Sequence, residues 1–128
     1  MASILKQRHF PHSTVSLRED GIVHVEFTDF AKIGTNECRE VNNTIGEFGN
    51  EQKTLVLMET ATNTQFDKEA REFSASPEGM RYTKADAFVV HSTAQSMLVN
   101  FYLKINKPPQ PSRSFHKRED AIKWLLSI

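Results

Sequence analysis

Glu59 and His91 are the two residues in this sequence whose types and setting could do acid–base chemistry. Each ends an apolar run: Leu55-Val-Leu-Met precedes Glu59, and Ala87-Phe-Val-Val precedes His91. Pockets in open α/β sheets form at the carboxyl ends of strands, and a carboxylate beside a histidine there makes a proton-transfer pair. Nothing else supports catalysis. There is no Gly-x-Ser-x-Gly elbow and no Gly-rich phosphate loop. Thr60, Thr62 and Thr64 are the second candidate. They lie just ahead of a helical segment, where a phosphate would meet free amides and the positive end of a helix dipole; otherwise they make an ordinary polar loop. His9, His12, His24, His91 and His116 lack metal-ligand spacing, so the sequence points to no metal and no cofactor. Cys38, the lone cysteine, falls on an apolar helical stripe and reads as an inert core residue.

Positioning these residues takes a sheet and helices. Thr14 to Arg18 alternates with Val15 and Leu17 inward; Glu19-Asp-Gly supplies a turn; Val23, Val25 and Phe27 alternate after it. Cys38, Val41, Ile45 and Phe48 recur at helical spacing, with Thr35 as cap and Gly49-Asn50 as stop. Thr54 to Met58 lacks alternation and reads as a strand buried on both faces. Asp67 to Ser74 is a short helix, Ala87 to His91 a strand, and Ser92 or Thr93 caps a long helix from about Ala94 to Asn106. After the Pro108-Pro-Gln-Pro connector come a short strand, Ser112 to Phe115, and a last helix with Ala121, Ile122, Leu125 and Ile128 inward. The order ββαβαβαβα implies right-handed crossovers and a mostly parallel sheet of about five strands with about four helices. Residues 1–13 show no clear period and read as a mobile arm; residues 14–128 read as one domain.

Composition narrows the class. The 128 residues carry sixteen basic and sixteen acidic side chains, so no net field favours nucleic acid or a membrane. The charges are uneven. Ten acids stand between Asp29 and Glu78 against five bases, and between Ala87 and Arg118 there are five bases and no acid. One cysteine, no leader and no long apolar run read as a cytoplasmic protein.

The helix from Ala94 to Ile105 is apolar on nearly every side. Ala94, Met97, Leu98, Phe101 and Ile105 make one face, expected inward; Val99, Tyr102 and Leu103 are left as a candidate interface. The last helix of the same chain, a second copy, a protein partner, an apolar ligand or a membrane surface are the possible covers.

Two segments carry a family resemblance: Ala85-Asp-Ala-Phe-Val-Val-His-Ser leading to Asn100-Phe-Tyr-Leu-Lys-Ile-Asn-Lys-Pro, and Pro111-Ser-Arg-Ser-Phe-His-Lys-Arg-Glu-Asp-Ala-Ile-Lys-Trp-Leu. They resemble the SpoIIAA-like group of small bacterial proteins, whose fold is that of the STAS domain and the anti-sigma-factor antagonist SpoIIAA. The resemblance implies a STAS-like α/β fold and a non-catalytic, regulatory or protein-interaction role. STAS antagonists carry a phosphorylatable serine in Asp-Ser-x-Gly; this chain has Glu59-Thr-Ala-Thr-Asn-Thr-Gln-Phe instead. The expected function is therefore a bacterial binding domain, with homodimerisation as one mode. The alternatives are a carrier of a small apolar ligand or lipid, and an enzyme using Glu59 and His91.

Overall fold

The computed structural model describes residues 2–128. A six-stranded sheet forms its centre. In spatial order its strands are β1 (Ile4–Phe10), β2 (Ser13–Arg18), β3 (Val23–Phe27), β5 (Thr54–Glu59), β7 (Thr83–Val89) and β8 (Ser112–Phe115). β2 runs antiparallel to both of its neighbours, β1 and β3, and β3, β5, β7 and β8 run parallel. Two short strands, β4 (Lys32–Ile33) and β6 (Gln65–Phe66), pair separately in parallel. The helices are α1 (Thr35–Phe48), α2 (Lys68–Ser74), α3 (Thr93–Asn106) and α4 (Arg118–Leu126).

The expected hairpin is β2–β3, with Val15 opposite Val25 and Leu17 opposite Val23. Its turn is set by Gly21 at φ +87° and by Asp20, whose carboxylate accepts from the Ile22 amide at 3.2 Å. The parallel half follows from apolar runs joined by crossover helices. Leu57 sits opposite Ala87, and Glu59 opposite Val89.

The expected arm over residues 1–13 is corrected: Ile4–Phe10 is an edge strand, and Met1 lies outside the described residues. Its side chains are nearly all exposed, so no buried period betrays it. Backbone pairing to β2 holds it, with polar contacts across the edge. The Gln7 amide donates to Ser16 Oγ at 2.8 Å, and Arg8 pairs with Glu47. Lys6 and Arg8 are also the charges that keep an edge from pairing with another chain. The strand expected at Ala87 begins earlier, at Thr83.

Each side of the sheet has its own apolar cluster. One, under α1, gathers Val15, Val23, Val25, Val56, Val41, Ile45 and Phe48. The other, under α4, gathers Ile22, Leu57, Ala85, Ala87, Val89, Ala121 and Leu125. Ile128, expected inward, is exposed. α1 is capped at Gly34 rather than Thr35: the Glu37 carboxylate accepts from the Gly34 amide at 2.7 Å. Its stop is Asn50 at φ +54°, since Gly49 stays at φ −93°. Gly46, costly in a helix interior, is where the Tyr82 ring lies; an added Cβ would meet Tyr82 Cε2 at 2.5 Å.

Candidate functional site

Strand alternation sends Glu59 and His24 to the α4 side of the sheet, while Met58, Asp86 and Phe88 point to the other. Two separate sites result.

On the α4 side, Glu59 is a hub. Its side chain is 12% exposed. His24 Nε2 lies 3.0 Å from Oε1 and His91 Nε2 lies 2.9 Å from Oε2. Arg118, the first residue of α4, donates Nε to Oε1 at 3.0 Å and Nη2 to Oε2 at 3.2 Å. Burial pushes the Glu59 carboxyl up, but Arg118 and the His24 hydrogen bond outweigh it and hold it below the usual range. An ionised carboxylate only accepts, so both histidines donate through Nε2. Burial lowers the His24 imidazole against the pull of Glu26 and Glu59. The pair expected at the strand ends therefore meets. Four donors occupy the two oxygens, and the cluster pins α4 to β3, β5 and the end of β7.

On the opposite side lies a cavity of about 500 Å³. α1 lines it with Val41 and Asn42, the sheet with Met58, Asp86 and Phe88, and α3 with Leu98, Val99, Phe101 and Tyr102. Ser92 caps α3 by accepting from the Gln95 amide at 3.1 Å. The α3 faces are the reverse of the expectation. Tyr102 is buried, with its ring edge-on to Phe88 at 6.0 Å, and Val99 and Leu103 are half-buried. Met97, Leu98, Phe101 and Ile105 are the exposed stripe, each 58–70% exposed. Helical spacing fixes which residues share a face, but not which face turns inward. Asn100 is exposed and ties α3 to β8, accepting from Ser114 Oγ at 3.0 Å.

Buried polar groups sit among the apolar walls. Asn42 is 7% exposed; its Nδ2 donates to Glu78 O at 3.0 Å, and its Oδ1 has no partner among the described residues. Asp86 is 4% exposed and accepts from the Ser112 hydroxyl. Burial pushes its carboxyl up to about 7, against the Ser112 bond. Burial and the nearby Asp86 also raise the Tyr102 phenol. Cys38 lines the cavity too, with its Sγ 3.7 Å from Ser74 Oγ, and burial raises its thiol.

The threonines do not sit at a helix N-terminus. β6 intervenes, and Asp67 caps α2 by accepting from the Ala70 amide at 2.7 Å. Thr60 and Thr64 line the cavity, Thr62 is exposed, and Thr64 Oγ1 donates to Thr28 O at 3.1 Å. A phosphate on this loop would find the Ala70 amide of α2 already taken by Asp67.

A family model described as a domain of unknown function, DUF7793, matches residues 15–128. The chain belongs to the DUF7793 family. No curated protein matches it. Among solved structures, this DUF7793 chain is similar to an uncharacterised DUF3478-family protein with a SpoIIAA-like fold from Shewanella loihica PV-4. That match has 11% identity, covers 98% of this chain and 95% of the other, and has a TM-score of 0.59. The likeness shows a SpoIIAA-like fold. A protein with unknown function from Arthrobacter sp. fb24 is 21% identical over 89% of this chain and 99% of its own, at a TM-score of 0.33.

Of the DUF7793 site groups, Asn42, Asp86 and Arg118 were not singled out in the sequence. Asp86 had a signal: an acid inside the apolar run Ala85 to Val90 has to be buried or unpaired. Asn42 had a weaker one, beside Val41 on the buried stripe. Arg118 had none, because its role depends on where α4 starts relative to the sheet.

Proposed function

We propose that this chain is a binding domain whose working site is the cavity between α3 and the sheet, and that it takes a small apolar molecule. The observation that carries the reading is the cavity itself: about 500 Å³, walled mainly by aliphatic and aromatic side chains, within the range of small-molecule sites. Its rim supports the same reading. Leu98 and Phe101 are exposed yet also line the cavity, so an apolar molecule meets apolar surface on its way in. Catalysis through Glu59 and His91 has less support, because every acceptor position on Glu59 faces a donor. An anti-sigma-antagonist switch also has less support, given a loop without Asp-Ser-x-Gly and a capped α2.

The second reading is a protein surface. Met97, Leu98, Phe101 and Ile105 form an exposed apolar stripe along one side of α3, of the kind that marks interaction sites. A partner protein or a second copy would cover it.

Titration with the neutral fluorophore phenylnaphthylamine tests the cavity. Saturable uptake of one molecule per chain is expected. Val99→Trp, which fills the space beside Tyr102, should abolish it with the circular dichroism unchanged. Unsaturable uptake, or uptake indifferent to Val99→Trp, would count against the site.

A further inference from the structure

We infer that the cavity takes a flat aromatic molecule in preference to a saturated one of the same skeleton and polar group, because aromatic rings line it from the sheet, from α2 and from α3. The inference rests on the cavity reading above and names the ligand class for that site.

The rings are concentrated there. Six of the chain's twelve Phe, Tyr and Trp residues line this one space. Phe27 comes from β3, Phe88 from β7, Phe66 from β6, Phe73 from α2, and Phe101 and Tyr102 from α3. The cluster under α4 is built differently: Ile22, Leu57, Val89, Leu125 and three alanines, with no ring among its buried members. Burial asks only for apolar surface, and aliphatic side chains supply it on that side. A ring adds a direction. Its face is negative and its edge positive, so it prefers another ring edge-on or offset, and such a pair is worth more than the area it buries. The lining already packs in this way. Phe27 and Phe66 meet edge to face with centroids 5.0 Å apart at 83°, and Phe88 and Tyr102 at 6.0 Å and 71°. A flat aromatic guest extends that arrangement on more than one wall. A saturated guest has neither a π face nor a polarised edge to answer it.

The polar side chains of the lining do not favour the saturated guest. Hydroxyls stand on Thr60, Thr64, Ser74, Thr83 and Tyr102, and they act alike on two guests that carry the same polar group. Arg71 is the one cation among the described lining residues. Its Nη1 donates to Phe66 O at 2.7 Å, and a guanidinium is itself attracted to an aromatic face.

The test uses 2-naphthalenemethanol and decahydro-2-naphthalenemethanol, which share a skeleton and a hydroxyl. Each is titrated against bound phenylnaphthylamine. The saturated alcohol carries more apolar surface, so burial alone ranks it the tighter. The aromatic alcohol should instead displace the fluorophore at least about threefold more tightly, within the worth of one added ring contact. Phe88→Leu, which exchanges a half-buried ring of the wall for an aliphatic side chain, should bring the two affinities closer together. Should that variant fail to fold, Phe101→Leu at the exposed rim carries the same comparison. Loss of both affinities by the same factor would assign the rings to apolar bulk and overturn the inference. Equal displacement by the two alcohols in the wild type, none by either, or tighter binding of the saturated one also overturns it, while the cavity reading stands on the uptake of the fluorophore. If phenylnaphthylamine itself fails to enter, the cavity reading fails and the inference with it.

Discussion

The sheet meets α4 and α3 in opposite ways. Under α4, Ala85, Ala87 and Ala121 are wholly buried, and their small size lets helix and strand close on Leu57 and Leu125. The polar margin of that side is fully paired around Glu59. Under α3, large side chains face one another across a cavity, and the helix buries only Tyr102 of its fourteen residues. There an amide oxygen goes unpaired and a carboxyl is held up to about 7. A side closed by alanines and saturated by ion pairs serves stability. A side that keeps volume, an unpaired acceptor and an apolar rim gives up stability for something that binds.

The largest expected effect tests the closed side. Leu125→Ala removes a fully buried side chain where α4 meets the sheet, and should cost about 2–5 kcal/mol in urea unfolding. Val99→Ala, on a half-buried residue lining the cavity, should cost clearly less, because no close-packed neighbours lose contact. Equal losses at the two sites would erase the contrast.

Asp86 gives the next effect, and its sign depends on pH. Its folded value, about 7, lies above the ordinary 3.8. Between those values the folded chain holds a proton that the unfolded chain has released. Stability therefore falls as pH rises through that window and levels off above about 7. Asp86→Asn keeps an acceptor for the Ser112 hydroxyl and has no charge to bury. It should match the wild type near pH 4 and exceed it above pH 7 by on the order of 2 kcal/mol, within the ceiling of about 4 kcal/mol that a three-unit shift allows. The readout is urea stability of both chains across that range. A gap that does not grow with pH would mean that the carboxyl is not desolvated.

What the sequence made legible follows the same division. The strands and their packed cores could be read because their rules are local. The alternation in Val23 to Phe27 and the unbroken run Leu55 to Met58 both encode burial directly, and the alternation of strands with helices encodes parallel order. β1 escaped because an edge strand with exposed side chains has no inward period. The open side escaped for another reason. The α3 sequence is apolar almost all round, so it could have turned either face inward. Tyr102 turned in because its ring meets Phe88 edge-on, a pairing between residues fourteen apart that helical spacing does not contain. Glu59 and His91 were correctly placed as neighbours, yet the two groups that define their chemistry, His24 and Arg118, come from a strand far earlier and a helix far later.

The smallest effect on stability should come from Phe101→Ser. Phe101 is 59% exposed, so its loss should change unfolding by no more than about 0.5 kcal/mol. Its effect on binding separates the two uses of α3, because Phe101 belongs both to the cavity lining and to the outer apolar stripe. If the cavity is the working site, phenylnaphthylamine uptake weakens and the mass in solution is the same in variant and wild type at every concentration. If the stripe is a dimer face, the wild type gains mass with concentration, the variant does not, and uptake is retained. Leu125 offers no such separation, because a residue buried on the closed side affects every property through unfolding. Only on the side where the fold leaves space can one side chain be removed and its function read apart from its stability.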